Sequence, residues 1–224
     1  SEFGGPEKLK VAEVATPMPG PGQVLVRIRA AALNQVDTKI REGLPIGPDM
    51  PAILGADLAG VVEAVGSDVA DLRVGDEVYG CAGGVKGHGG TLAQYIAADA
   101  RLVVPKPASL SFREAAALPL VSITAWDAME RLSLAAGDHV LVHGGAGGVG
   151  HIGIQLAKAA GARVAATVGS EEAAGLARGL GADDIVDYRA EQVGDYVARL
   201  TSGRGFDAIF DTVGGLNLAS SFEA

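Results

Sequence analysis

The chain is poor in cysteine and in basic residues, and it has no long apolar run. Its one cysteine, Cys81, can form neither an internal disulfide nor a multi-cysteine zinc site. The 18 Lys and Arg residues against 27 Asp and Glu residues give a net charge of −9, which repels nucleic-acid phosphates and anionic membrane surfaces. No apolar run reaches membrane-spanning length. We therefore expect no nucleic-acid partner, no membrane partner and a reducing, cytoplasmic location.

The first half of the chain shows the two-residue alternation of β-strands. Gln23–Ala32 places Val24, Val26 and Ile28 on one face, which indicates a half-buried strand. Two further short strands are predicted at residues 58–65 and 76–79. Short strands separated by glycine turns at this spacing predict a small barrel or sandwich.

The pattern changes near residues 105–111, after which strands and helices alternate. Ser111 and Glu114 form a capping box, in which each side chain satisfies a backbone donor at a helix start. The predicted strands are His139–His143, Arg163–Val168, 184–188 and 207–213, and the predicted helices are 150–160 and 171–180. This alternation predicts an α/β fold with a parallel, doubly wound sheet.

A glycine-rich turn joins the strand His139–His143 to the next helix. Gly145, Gly147 and Gly150 satisfy the pattern G-x-G-x-x-G, in which the first glycine turns the chain, the second admits a pyrophosphate and the third allows helix–strand packing. A tight structural turn is the alternative, but it does not explain so many consecutive glycines. The predicted cofactor-binding residues of this turn are Gly145, Ala146, Gly147, Gly148, Val149 and Gly150.

The end of the second predicted strand lacks the acid that usually binds the adenosine ribose of NADH. Residues 167–170 carry no carboxylate, and we expect Gly169 and Ser170 to contact the cofactor there. Without that acid, nothing repels a 2′-phosphate, so NADPH is favoured over NADH. Glu171 and Glu172 follow immediately; they are suited to the first turn of a helix but would oppose a nearby phosphate.

Several spaced segments together resemble one known family. They are residues 31–43 (AALNQVDTKIREG), 55–66 (GADLAGVVEAVG), 74–79 (VGDEVY), 118–126 (LPLVSITAW) and 210–215 (FDTVGG), with the glycine turn. With them the chain resembles the medium-chain dehydrogenase/reductase superfamily, and within it the zinc-independent, zeta-crystallin-like quinone oxidoreductases. The resemblance implies a GroES-like domain over residues 1–112 and a Rossmann domain over residues 113–224.

The resemblance also implies roles for single residues. Asn34 would face substrate and cofactor as a hydrogen-bond donor, with Asp37 nearby, and Thr124 would contact the nicotinamide. Val213 and Gly214 would line the other side of the nicotinamide, and Tyr188 would help to hold the 2′-phosphate. A lysine that the family uses for this phosphate falls at Ala173. Each role has an alternative: Asn34 and Asp37 could cap the following helix, Thr124 could be an ordinary helix residue, and Tyr188 a strand end.

The same comparison indicates that no metal takes part. Zinc alcohol dehydrogenases carry Cys and His-Glu ligands where this chain has residues 33–35 (LNQ) and 55–57 (GAD). Catalytic zinc needs about three protein ligands, and the four histidines supply no such set. We therefore expect no zinc.

The resemblance implies hydride transfer from NADPH to a small quinone or α,β-unsaturated carbonyl compound. The alternatives are an enoyl reductase acting on acyl chains and a catalytically idle dinucleotide-binding protein. Family members are longer than this chain, so we expect it to be either a fragment or the ordered part of a longer protein. If the polypeptide ends at Ala224, residues 207–213 would lie at an exposed sheet edge. A homodimer is expected for the full-length protein.

Overall fold

A computed structural model describes residues 2–224 of the chain. It contains two compact units, which meet in the sequence between Leu120 and Val121. The domain limits at residues 112 and 113 stay a prediction. Within the described residues, no helix has the length and apolar character needed to cross a membrane.

The first unit is built on a five-stranded antiparallel sheet with the order β4-β1-β2-β3-β5. Its strands are β1 (Gln23–Ala32), β2 (Asp57–Val65), β3 (Glu77–Cys81), β4 (Tyr95–Asp99) and β5 (Val104–Pro105). Its helices are α1 (Gln35–Arg41) and α2 (Phe112–Ala116), with 3-10 turns at Pro6–Lys8 and Ala100–Leu102. The predicted capping box is present, because Ser111 and Glu114 bond reciprocally at the start of α2.

The predicted alternation of β1 is confirmed and explains where the first core lies. Val24 and Val26 are fully buried, and they pack with Leu58, Val62 and Val78 from the neighbouring strands. Ile28, on the same face, is partly buried at the margin of this cluster. Burying such β-branched side chains between strands supplies the hydrophobic stabilisation of the sheet.

The second unit is a four-stranded parallel sheet with the order β8-β7-β6-β9. Its strands are β6 (His139–His143), β7 (Arg163–Val168), β8 (Asp184–Asp187) and β9 (Ala208–Asp211). Its helices are α4 (Gly150–Ala159), α5 (Glu171–Gly179), α6 (Val193–Thr201) and α7 (Asn217–Glu223), and α3 (Pro119–Leu132) contains the division between the units. The order matches strands 3-2-1-4 of a doubly wound fold, which confirms the predicted fold class.

The central strand β6 is buried on both faces, as a parallel strand covered by helices must be. Val140 and Val142 pack on one side with Ile154 of α4. Leu141 packs on the other side with Val197 of α6. The predicted bounds of β6 and β7 agree with the structure, whereas β8 and β9 are shorter than predicted at residues 184–188 and 207–213.

Candidate functional site

The glycine turn lies where β6 ends and is held by the neighbouring strand β7. Gly144 adopts a left-handed conformation, with φ of +66°, and its N–H donates to the hydroxyl of Thr167 at 3.0 Å. The next N–H, that of Gly145, donates to the backbone carbonyl of Thr167 at 3.0 Å. The turn is therefore tied to the sheet through one residue that sequence reasoning did not single out.

The three motif glycines are required for different reasons. A Cβ at Gly145 would lie 2.7 Å from the Cβ of Ala166 in β7, so this glycine allows the turn to pack on the sheet. A Cβ at Gly150 would collide with the carbonyl oxygen of Gly144, so this glycine closes the turn. A Cβ at Gly147 would meet only the Gly144 carbonyl oxygen, at 3.1 Å, and Gly147 is exposed.

The turn also presents unused hydrogen-bond donors. Within residues 2–224, the backbone N–H groups of Ala146, Gly148 and Val149 donate no hydrogen bond. They precede the N-terminus of the ten-residue helix α4, whose dipole adds positive potential. Free amides beside an exposed glycine fit the pyrophosphate of a dinucleotide.

Gly169, Ser170 and Tyr188 lie together after β7 and β8. A Cβ at Gly169 would lie 2.7 Å from the Tyr188 hydroxyl, so the Tyr188 side chain lies against the glycine backbone. Tyr188 is 57% exposed and immediately follows β8, as the strand-end alternative predicted. The Ser170 hydroxyl caps α5 by accepting from the N–H of Ala173 at 3.2 Å.

The charges near this corner differ from the sequence expectation. Glu171 accepts a hydrogen bond from Arg178 at 2.9 Å, so its charge is partly compensated by its own helix. The guanidinium of Arg189 lies 5.7 Å from the Tyr188 ring centroid. The sequence analysis did not predict a role for the exposed Arg189, because the family's phosphate-binding lysine falls at the position of Ala173.

The loop that carries Val213 and Gly214 is shaped by the carboxylate at the end of β9. Asp211 accepts from the N–H groups of Val213 at 2.8 Å and Gly214 at 2.9 Å, and from the hydroxyl of Ser221 at 2.8 Å. Burial raises the pKa of Asp211, but these hydrogen bonds outweigh burial and lower the pKa to about 2. The structure therefore holds Val213 and Gly214 in one conformation through an ionised acid.

This loop and the glycine turn lie side by side. The Thr212 hydroxyl donates to the carbonyl oxygen of His143 at 2.7 Å. His143 is 3% exposed, and its Nδ1 lies 3.2 Å from the Thr167 hydroxyl. Burial lowers the pKa of His143, so the ring is neutral near pH 7. The buried imidazole is thus part of the scaffold behind the turn.

In the first unit, Asn34 and Asp57 form a hydrogen-bonded pair. The Nδ2 atom of Asn34 donates to Oδ2 of Asp57 at 3.0 Å, and the Asp57 residue is fully buried. Asp57 also accepts from the backbone N–H of Leu120, at 3.1 Å to Oδ1. The neighbouring Cys81 thiol also favours the ionised form of this carboxylate.

Asp37 caps helix α1, as the alternative interpretation predicted. Its Oδ2 accepts from the N–H of Asn34 at 2.7 Å. Its Oδ1 is buried and has no hydrogen-bond partner among the described residues. Burial raises the pKa of Asp37, which the bond from Asn34 partly offsets.

Burial also controls the ionisation of Asp57 and Cys81. It raises the pKa of Asp57, against the hydrogen bonds from Asn34, Leu120 and Cys81 that favour the ionised form. Burial, followed by the nearby charge of Asp57, raises the pKa of Cys81 to about 12. Cys81 is therefore a neutral thiol near pH 7.

Thr124 belongs to the second unit, where it is an exposed residue of α3. No group of three or more His, Cys, Asp or Glu residues within the described part of the chain could hold a metal ion.

Two family models match the chain. The model described as "Alcohol dehydrogenase GroES-like domain" matches residues 20–108, and the model described as "Zinc-binding dehydrogenase" matches residues 148–224. A GroES-like antiparallel sheet followed by a Rossmann-like parallel sheet with a glycine turn is the architecture of one superfamily. The chain belongs to the medium-chain dehydrogenase/reductase, or alcohol dehydrogenase, superfamily, which confirms the resemblance inferred from its motifs.

Individual relatives are similar over nearly all of this chain. It is 43% identical over 223 residues to a 2-methylene-furan-3-one reductase of Solanum lycopersicum, covering 96% of this chain and 56% of the relative. It is 39% identical over 213 residues to a quinone oxidoreductase of Pseudomonas aeruginosa, covering 95% and 64%. The crystal structure of Escherichia coli quinone oxidoreductase complexed with NADPH superposes with a TM-score of 0.90 at 32% identity, covering 99% and 67%. The chain thus spans between about half and two thirds of these proteins.

Proposed function

We propose that the protein of which this chain forms part transfers hydride from NADPH to a quinone or an α,β-unsaturated carbonyl compound, without zinc. The observation that carries this proposal is the glycine turn, where three amides that donate no hydrogen bond within residues 2–224 and the exposed Gly147 lie before α4. The names of the relatives, a quinone oxidoreductase and a furanone reductase, support this substrate class.

The second unit would bind the cofactor. The free N–H groups of Ala146, Gly148 and Val149 would donate to the pyrophosphate, because helix N-termini favour anions. Gly169, Ser170 and Tyr188 would contact the phosphorylated ribose, and Thr124, Val213 and Gly214 the nicotinamide. The bound cofactor supplies the hydride, and the protein supplies orientation.

The first unit would contribute the residues that act on the substrate. Asn34 uses one side-chain N–H on Asp57, and its second N–H remains to polarise a carbonyl oxygen. A donor placed at an oxygen that gains negative charge stabilises the transition state of hydride addition. Asp37 would support Asn34 by fixing its backbone.

Three further parts of the proposal are more specific than membership of the family. NADPH would be preferred to NADH, because no acid stands at residues 167–170. The full-length protein would be a cytoplasmic homodimer. Zinc would play no part, because the positions of Asn34, Ala56 and Asp57 lack the ligand set of the zinc enzymes.

The deciding experiment is NADPH oxidation by the full-length protein with a simple quinone, a conjugated enone, an enoyl thioester and no acceptor. We expect turnover with the quinone or the enone. Turnover with the thioester alone would support the acyl-chain alternative. NADPH binding without turnover on any acceptor would support the idle dinucleotide-binding alternative.

A further inference from the structure

Asp57 is the point where three separate segments of the first unit converge. It is the first residue of β2, and the sheet places it opposite Ala32 of β1 and Cys81 of β3. Its carboxylate accepts hydrogen bonds from Asn34 and from Leu120 at the start of α3, and the neighbouring Cys81 also favours its ionised form. The residue is fully buried.

Two donors on one buried carboxylate favour its ionised form. An ionised carboxylate only accepts hydrogen bonds, whereas a neutral amide or acid at the same place would also present N–H or O–H groups. Such a group could face the N–H of Leu120. Burial of the charge acts in the opposite direction and raises the pKa of Asp57, and the hydrogen bonds offset part of that cost.

We propose that Asp57 is a positioning residue, whose carboxylate fixes the orientation of the Asn34 carboxamide and leaves its second N–H for the substrate. A carboxamide can turn over to exchange its oxygen and nitrogen, and its partners decide which orientation is populated. Because Asp57 accepts only, it selects the orientation with Nδ2 towards itself. The proposal rests on the proposed function for its substrate, but the orientation of Asn34 does not depend on turnover.

Protonation of Asp57 would remove this selection. The ionisable groups that face it are Asp37 from α1 and Cys81 from β3. Burial raises the pKa of Asp57, so its ionisation ends at a higher pH than that of an exposed carboxyl group. As the pH falls through this pKa, the carboxyl group gains an O–H donor, and its preference for the orientation with Nδ2 towards it weakens.

The sequence offers an internal control, because Asn34 and Asn217 are its only asparagines. The Asn217 side chain donates to Asp211 at 3.2 Å, and the pKa of Asp211 is about 2. Asparagine labelled with ¹⁵N at the side-chain amide gives one pair of NMR signals for each of these two residues, and each pair is identified by its loss in Asn34→Gln or Asn217→Gln. We expect the Asn34 pair to shift with pH above the ordinary carboxyl range, and the Asn217 pair to stay constant there.

Two variants assign the titration to one carboxylate. Asp57→Asn should abolish the pH-dependent shift of the Asn34 side-chain signals, whereas Asp37→Asn should retain it. Asp57→Asn should also lower kcat about tenfold or more, and a tenfold loss corresponds to about 1.4 kcal/mol. NADPH affinity should change little. Asn34 signals that ignore pH in the unmodified protein, or that still titrate in Asp57→Asn, would overturn the proposal.

Exchanging the residues at positions 34 and 57 distinguishes a positioning role of Asp57 from a role in stabilising the fold. Asn34→Asp combined with Asp57→Asn keeps an acid–amide pair but presents a carboxylate to the substrate. We expect the exchange to recover the thermal stability lost in Asn34→Asp alone, but not kcat. Recovery of both would show that Asp57 only stabilises the fold. The NMR result does not depend on the reduction of an acceptor. Failure of the proposed function can therefore be distinguished from failure of the positioning proposal.

Discussion

The hydroxyl of Thr167 accepts a hydrogen bond from the backbone N–H of Gly144 at 3.0 Å. Thr167 is 3% exposed, and its own carbonyl oxygen accepts from the next amide, that of Gly145. The end of strand β7 therefore fixes the first two residues of the glycine turn before any ligand binds. Such preorganisation lowers the entropy that binding has to overcome.

Replacing Thr167 should loosen this turn. Thr167→Val keeps the shape of the side chain but leaves the Gly144 N–H without its acceptor, at a cost of about 1–3 kcal/mol in the free energy of unfolding. We expect NADPH affinity to fall as well, measured by titration of the Trp126 fluorescence. A matched control is Thr91→Val, because the Thr91 hydroxyl is buried and has no partner among the described residues. Equal effects of the two substitutions on NADPH affinity would contradict the role of Thr167.

Gly147→Val should abolish cofactor binding and leave the fold intact. A Cβ at Gly147 has one protein atom within 4 Å, the carbonyl oxygen of Gly144 at 3.1 Å, which has to give by a few tenths of an ångström, so we expect a folded chain with a small loss of stability. The valine would instead fill the space in which the pyrophosphate lies. Gly175→Val is the control, because Gly175 of α5 also has open space around its Cβ position. Unchanged NADPH affinity in a folded Gly147→Val protein would place the phosphates elsewhere.

A charge at Ser170 should change the cofactor preference. The unmodified protein is expected to bind NADPH more tightly than NADH. Ser170→Asp preserves the N-cap of α5, because Asp caps as well as Ser, but adds a negative charge near the 2′-phosphate. We expect NADPH affinity to fall about tenfold, or by ~1.4 kcal/mol, with NADH affinity unchanged. Ser170→Asn caps without charge and should bind both cofactors as before. Equal losses for both cofactors in Ser170→Asp would argue against a phosphate at this corner.

The strands and helices of the second unit were predictable because their signals are local. The apolar run of β6, the glycines after it and the alternation of elements determine the parallel sheet within short windows of sequence. The strand bounds Arg163–Val168 were also predicted correctly. The ends of β8 and β9 were not, because strand ends depend on neighbouring strands.

The candidate site was less predictable, because its side chains pair over long distances in sequence. Asn34 and Asp57 are 23 residues apart, and only the antiparallel pairing of β1 with β2 brings them together. Thr167 and Gly144 are also 23 residues apart and meet through a parallel pair of strands. Sequence motifs named Asn34 through resemblance, but its partner Asp57 could be identified only from the fold.

The absence of zinc from a carefully purified sample is the last expectation. Zinc binds deprotonated cysteine, neutral histidine or free carboxylate oxygens. The Cys81 thiol has a pKa raised to about 12 by burial and by the charge of Asp57, so it supplies no thiolate near pH 7. The buried Asp57 carboxylate already accepts hydrogen bonds from Asn34 and Leu120.

Elemental analysis of the full-length protein should accordingly find much less than one zinc per chain. Treatment with a chelator should change neither the thermal unfolding temperature nor the rate of NADPH oxidation. Asp57→His is a second test of the missing ligand set. The histidine offers a nitrogen ligand, but within the described residues no second and third ligand lie beside it. The variant should therefore be less stable and should bind no metal. Stoichiometric zinc in the unmodified protein, lost together with activity on chelation and restored with it, would contradict both the ligand argument and the zinc-independent mechanism.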